Sequence, residues 1–201
     1  EVILGELSTI DNIPIWLKNN LINSLGEKSI NLISNQIVQE PFLDIKVKKK
    51  FYKSFEWEKI LEGKKIFPET IRVMNKKKVE ELPHYKDGLW WVQGFSATFP
   101  VVLINEIFSK YKKNKISILD VGASPGGKSF QLIESGFQTT SLEISKTRIR
   151  KFLKNSERLN FSPKVIEEDF TTYKSEKKFD CILNDAPCSA SGLIQKKPEM
   201  L

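Results

Sequence analysis

Short apolar runs alternate with segments of helical periodicity from residue 116 onward, and a turn of small residues joins the first run to the first helix. The pattern predicts strands over 116–121, 138–142, 164–166 and 179–184. It places a helix start over 128–135 and a basic amphipathic helix over 145–159. Strands spaced by helices make a parallel sheet covered on both faces, since a parallel neighbour is reached only through a crossover. Sheets of this kind bind ligands outside the carboxyl ends of their strands. Every polar cluster discussed below falls at such an end.

The first half reads differently. Ile15, Leu17, Leu21, Ile22 and Leu25 recur at helical spacing, with Asn12 or Asp11 available as a cap and Gly26 as a stop. Ile30, Ile33 and Ile37 continue the period over 27–39. Alternation then predicts a strand over 42–48, a short helix near 54–62 and one strand within 65–74. Residues 1–85 are therefore expected to form a small α/β module with lead-in helices, and 86–201 the second domain. A helix is expected after Trp90-Trp91-Val92, running to about Tyr111 and disturbed by Pro100. Adjacent tryptophans can stack on bases, but interdomain core is the favoured reading. The lysine runs at 48–50 and 76–78 can touch phosphates, and a solvated face is favoured for them.

A net charge of +7 suits a polyanionic partner. Residues 1–88 hold 15 Lys/Arg against 13 Asp/Glu, and 89–201 hold 17 against 12. The excess lies in the second part but is spread along it. Cys181 and Cys188, with one histidine, make neither a disulfide framework nor a zinc set, so no metal and a reducing, cytoplasmic setting are expected. No run of about 18 apolar residues suggests a membrane span. The chain begins at Glu1 rather than Met, so a missing or processed N-terminus is expected.

The turn Asp120-Val121-Gly122-Ala123-Ser124-Pro125-Gly126-Gly127-Lys128-Ser129 lets backbone amides at a helix N-terminus approach an anion. Gly122 to Ser129 formally matches the phosphate-binding loop G-x-x-x-x-G-K-[ST], with Asp185 as its magnesium-binding partner. Against that reading, Pro125 removes one amide from a cradle of consecutive N–H groups. Asp120 suits a sulfonium or ammonium better than a triphosphate. Glu143, about 20 residues past the loop, stands where an acid hydrogen-bonds a ribose diol. S-adenosylmethionine needs these together: amides for its carboxylate, acids for its amino group and ribose. Asp169, at the end of the third strand, is placed to accept from an adenine amino group, although a solvated acidic turn is the favoured reading of these residues taken alone. After the fourth strand come Asn184-Asp185-Ala186-Pro187-Cys188. A thiol there suits pyrimidine carbon methylation, where C5 is a weak nucleophile until a thiolate adds to C6. A small buried residue in a helix cap is an equally good reading of Cys188.

ILDVGASPGGKS, SLEISKTRIRKFLKNSERLNF, EEDF and FDCILNDAPCSASGLIQKKPEM resemble the Sun/Fmu (RsmB-like) branch of the RNA (cytosine-5) methyltransferases. Weaker echoes lie in PIWLKNNLINSL, DIKVK and KDGLWWVQ. The resemblance implies a Rossmann-like S-adenosylmethionine-dependent methyltransferase core after a small RNA-contacting α/β module. It implies that Gly122, Ala123, Ser124, Pro125, Gly126, Gly127 and Lys128 wrap the methionine part, Glu143 holds ribose and Asp169 adenine. Asp185 would stand beside the transferred methyl and the target base, and Cys188 would assist release of the methylated product. The family's nucleophile lies in a later Thr-Cys motif. The chain stops at Leu201 before one, so an inactive C-terminal truncation is expected.

Gly122, Glu143, Gly94, Lys46 and Lys48 depart from the commoner family residues. The implied product is 5-methylcytosine and the implied substrate ribosomal RNA, with transfer RNA second. No membrane partner is implied, and a monomer is expected. The alternatives are a phosphate-loop nucleoside triphosphatase and a non-catalytic RNA-binding relative.

Overall fold

The computed structural model describes residues 13–37, 41–74 and 77–185. These residues fall into two compact units, one of 13–37 and 41, the other of 42–74 and 77–185. In the first, α1 (Ile15–Leu25) and α2 (Glu27–Ile37) are joined at Gly26. Gly26 takes a φ of 81° and returns its N–H to the Ile22 carbonyl at 2.8 Å, a conformation that favours glycine. Pro14 stands at the N-cap, where its fixed φ is suited and its missing N–H costs nothing, and its carbonyl accepts from Leu17 and Lys18. The alternative caps Asp11 and Asn12 lie outside the described residues.

The second unit contains two sheets. The antiparallel one comprises β1 (Leu43–Val47), β2 (Gly63–Phe67), β3 (Thr70–Val73) and β4 (Trp90–Val92) in the order β2-β3-β1-β4. Short helices α3 (Lys49–Tyr52) and α4 (Trp57–Ile60) lie between β1 and β2. The single strand expected within 65–74 is a hairpin. Pro68 has no N–H to continue a ladder and Glu69 takes a φ of 54°, so the chain reverses there. Ile45, Val47, Trp57, Leu61, Ile71, Val73 and Trp90 form the buried core on one face. Residue 86, the expected start of the second domain, precedes β4, which the structure pairs with β1.

Neighbouring strand residues point to opposite faces. Trp90 therefore enters that core, its indole N–H donating to the Pro83 carbonyl at 2.8 Å, while Trp91 faces the other way. Its ring meets Phe130 and Phe161 edge-on, at 6.3 and 6.2 Å between centroids. The tryptophan pair is thus core on both sides. Lys48 is likewise absorbed by packing: its ammonium donates to the Leu159 carbonyl and lies 4.6 Å from the Phe161 ring centroid.

The parallel sheet comprises β5 (Ser117–Val121), β6 (Gln138–Glu143), β7 (Lys164–Glu167) and β8 (Cys181–Asn184) in the order β7-β6-β5-β8. Its helices are α5 (Phe95–Ile107), α6 (Gly127–Glu134) and α7 (Lys146–Arg158). From β5 the chain moves outward to β6 and β7, then returns to place β8 on the other side of β5. That reversal creates a crevice at the carboxyl ends of β5 and β8. Register aligns the ends: Val121 stands opposite Leu142 and Asn184, and Glu143 opposite Glu167. Asp44 of β1 binds the Arg72 guanidinium through both oxygens, at 2.8 and 3.1 Å. It also accepts the Phe95 amide at 2.9 Å, which fixes the start of α5 near the crevice.

Candidate functional site

The turn between β5 and α6 is stapled to its neighbours. The Gly122 and Ala123 amides donate to the Leu142 carbonyl at 2.9 and 3.2 Å. The Ser124 hydroxyl donates to the Arg148 carbonyl, and the Arg148 guanidinium returns a bond to the Ser124 carbonyl, both at 2.8 Å. Asn155 of α7 donates to the Pro125 carbonyl at 3.2 Å. Gly126 opens α6 with a φ of 112°, and a Cβ there would sit 2.3 Å from the Phe130 ring. Only glycine meets both conditions.

The turn walls a cavity of about 170 Å³. Gly122, Ala123, Ser124, Pro125, Gly127 and Lys128 line one side; Asp120, Asp185 and the segment Val92, Gln93, Gly94 and Ala97 complete it. Asp120 is 1% exposed. Its Oδ2 accepts from the Ser129 hydroxyl at 2.5 Å, and Ser129 oxygen lies 2.8 Å from that of Ser141. With its one hydrogen committed to Asp120, Ser129 accepts from Ser141. Asp120 Oδ1 is buried with no hydrogen-bond partner among the described residues. Burial pushes this carboxyl up to about 6, and the Asp185 charge adds to the rise; the Ser129 bond and the Lys128 ammonium pull it back. Lys128 Nζ reaches Asp185 Oδ2 at 2.5 Å, and the Asp185 amide donates to the Val121 carbonyl at 3.0 Å.

Glu143 ends β6 but points behind the turn rather than into the cavity. It is 3% exposed, and its carboxylate accepts the Ser124 amide at 3.4 Å and the Ser145 amide at 3.1 Å. Arg148 Nε lies 3.3 Å from Oε2. Asp169 stands two residues past β7, further along the same edge. Its Oδ1 accepts the Thr171 amide and hydroxyl, each at 2.8 Å, and these bonds hold its carboxyl below the ordinary range. The structure thus brings the 122–128 turn and Asp185 together around Asp120. Glu143 touches that group through Ser124, and Asp169 is apart from the cavity. Cys188 lies outside the described residues.

Gln93 was not singled out by sequence as a cavity residue. It is 4% exposed, and its Oε1 accepts the Trp91 indole N–H at 2.7 Å. Its amide nitrogen donates to the Ala97 carbonyl at 3.1 Å and to Gln131 Oε1 at 2.7 Å. A polar residue between a tryptophan strand and a helix start was the available signal. Among the described residues, no group of three or more His, Cys, Asp or Glu could hold a metal. No described helix is long and apolar enough to cross a membrane.

Residues 108–201 match the family model of the 16S rRNA methyltransferase RsmB/F. That part of the chain is similar to the Sun/Fmu type. The RsmB/F match begins at the end of α5 and includes the whole parallel sheet. Ribosomal RNA small subunit methyltransferase B of Cronobacter sakazakii is 28% identical over 199 residues, which are 93% of this chain and 45% of that protein. The chain thus spans about half the length of the curated relatives it matches. Among solved structures, a methyltransferase homolog protein from Pyrococcus horikoshii superposes with a TM-score of 0.70 at 21% identity, covering 96% of this chain and 67% of that one. NSun6 from Pyrococcus horikoshii, solved with SFG, gives 0.68 at 17%, covering 88% and 71%. These likenesses fit the sheet order described above: the fold of the parallel half is Rossmann-like.

Proposed function

We propose that the chain binds S-adenosylmethionine in the Asp120 cavity and serves methylation of ribosomal RNA at cytosine C5. The observation that carries the cofactor is the Asp120 carboxylate, whose Oδ1 is buried at a cavity wall with no donor among the described residues. A buried acceptor of this kind is costly unless a ligand supplies a hydrogen, and an α-ammonium supplies three. The amides opening α6 suit the carboxylate of the same amino acid. At about 170 Å³ the cavity is smaller than the ~300 Å³ at which small-molecule pockets begin, so it suits one end of the molecule. Asp169, exposed along the same sheet edge, is the acid available to the adenine, and Glu143 would meet the ribose only on releasing one of its own donors. When bound, the cofactor supplies a methyl group on a sulfonium centre.

The chain's own residues exclude water, orient and accept. Asp185 stands at the open side of the cavity, 55% exposed, where it can accept from the amino group of an incoming cytosine. Lys128 holds its carboxylate in place. Cytosine C5 becomes nucleophilic only after a thiolate adds at C6, and Cys188 is assigned to release of the methylated base. The base must leave its stack to reach this edge. The relatives' names point to ribosomal RNA, and so to the cytoplasm; SFG on NSun6, an S-adenosylmethionine analogue, fits the cofactor.

The phosphate-loop reading needs the Ser129 hydroxyl on a metal ion. That hydroxyl is buried and bonded to Asp120 and Ser141, and Lys128 is paired with Asp185. Calorimetry separates the two. S-adenosylhomocysteine is expected to bind, and Asp120→Asn to weaken it about tenfold, the loss of one charged hydrogen bond. Binding of magnesium-ATP, with none of S-adenosylhomocysteine, would overturn the proposal.

A further inference from the structure

At the end of the parallel sheet opposite the cavity there is a second, larger concavity, a groove of about 830 Å³. One wall is the amino-terminal edge of the sheet, with Lys115 just before β5 and Lys164 opening β7. The other is the crossover into β8, which carries Lys174, Lys177 and Lys178. Tyr173 and Phe179 pack against Leu119, Val121 and Leu142, so the crossover is anchored at both ends and its lysines stand on a fixed wall.

All five lysines are exposed, and none is ion-paired with a carboxylate among the described residues. The groove holds one acid, Glu176. Asp180, next along the crossover, is already satisfied: its Oδ2 accepts the Ser117 amide and hydroxyl, both at 2.8 Å. Five cations facing one concavity, with one acid among them, repel one another unless an anion lies between.

We infer that this groove holds the phosphate backbone of RNA. Five positive charges along two walls match a chain of regularly spaced phosphates better than a single small anion. Gln138 and Thr139 on the floor can add neutral hydrogen bonds to phosphate or sugar oxygens. The choice of RNA over another polyanion rests on the function proposed above; the charge and shape of the groove do not. β5 is five residues long, so roughly 17 Å separates the groove from the cavity edge. Contacts here cannot touch the target base. They anchor RNA flanking it, independently of sequence.

The test is binding of a short, labelled, single-stranded RNA of mixed sequence to the 201-residue chain, by anisotropy across a salt series. Lys174→Glu/Lys177→Glu/Lys178→Glu is expected to lower affinity at least tenfold. It should reduce the slope of log affinity against log salt by about 2, from three lost contacts at ~0.7 each. Arg150→Glu/Lys151→Glu/Lys154→Glu, on the exposed face of α7, makes the same change in net charge and is expected to cost less than threefold. Lys115→Gln/Lys164→Gln, on the other wall and milder in charge, carries the test if the triple variant fails to fold. Groove variants with unchanged RNA affinity, or an α7 variant that loses as much, would overturn the inference. S-adenosylhomocysteine affinity reports on the other end of the sheet and is expected to be unchanged in all three. Loss of that binding in the unaltered chain, with RNA still held by the groove lysines, would count against the proposed function and for the groove.

Discussion

Lys128 Nζ lies 2.5 Å from Asp185 Oδ2, so an ion pair joins the first turn of α6 to the end of β8 across the sheet's reversal point. Both charges act on Asp120 beneath them, in opposite directions. Lys128→Met is expected to raise the Asp120 titration midpoint above about 6, and Asp185→Asn to lower it. Carboxyl carbon NMR across the acid range reads both shifts. Movement in the same direction for the two variants would show that Asp120 does not sense the pair.

Asp120 also makes stability depend on pH. Its folded carboxyl gives up its proton at about 6, against an ordinary value of 3.8. Between those values the native state binds more protons than the unfolded chain, so stability falls as pH rises through the window. Above about 6 the full penalty is present, of order 3 kcal/mol. Asp120→Asn can still accept from Ser129 and carries no charge. It is expected to stabilise the fold by up to about 3 kcal/mol at neutral pH, a gain that vanishes below pH 3.8. Urea denaturation at several pH values measures it. A gain independent of pH would mean that the charge is not the cause.

The parallel half of the fold was legible because strand, turn and helix each leave a separate mark in the sequence. An apolar run ending in Asp120, glycines at 122 and 126 and a helical period after 127 admit few other structures. The hairpin over 63–73 was missed because a two-residue reversal at Pro68-Glu69 hardly interrupts an alternating pattern. Gln93 was missed for a different reason. It reaches the cavity only because β4 pairs with β1 within the antiparallel sheet, a long-range fact that local periodicity does not carry. Glu143 was read correctly as an acid at a strand end, but its neighbours Ser124, Ser145 and Arg148 decide where it points. The lysine groove was invisible for the same reason. Its members are scattered from 115 to 178 and meet only when β5, β6 and β7 align.

Two adjacent glycines separate folding from binding. Gly126→Ala puts a Cβ 2.3 Å from the Phe130 ring at a φ of 112°, and is expected to cost more than about 1 kcal/mol of stability. At Gly127 the nearest atom is Gln93 Cγ at 3.5 Å, an ordinary contact, and alanine favours the helix it opens. Gly127→Ala is therefore expected to match or exceed the unaltered stability while weakening S-adenosylhomocysteine, because its methyl projects at the cavity wall. Melting curves with and without ligand distinguish the two. Equal losses of stability would refute the assignment of Gly127 to the wall.

Trp90 and Trp91 offer the same comparison across the two sheets. Each indole N–H has a single acceptor: the Pro83 carbonyl for Trp90, Gln93 Oε1 for Trp91. Phenylalanine at either position removes a buried donor and leaves its acceptor unpaired, at a cost of about 1–3 kcal/mol. The consequences for the cavity differ. Gln93 cannot recover by turning its amide over, because its oxygen would then face the Ala97 carbonyl and the Gln131 oxygen. Its side chain is freed to move, and it forms part of the cavity wall. Trp90→Phe disturbs only the antiparallel core. Both variants are expected to lose comparable stability by urea denaturation, while calorimetry shows weaker S-adenosylhomocysteine binding for Trp91→Phe alone. Equal ligand affinities would mean that the indole bond to Gln93 serves packing and does not shape the cavity.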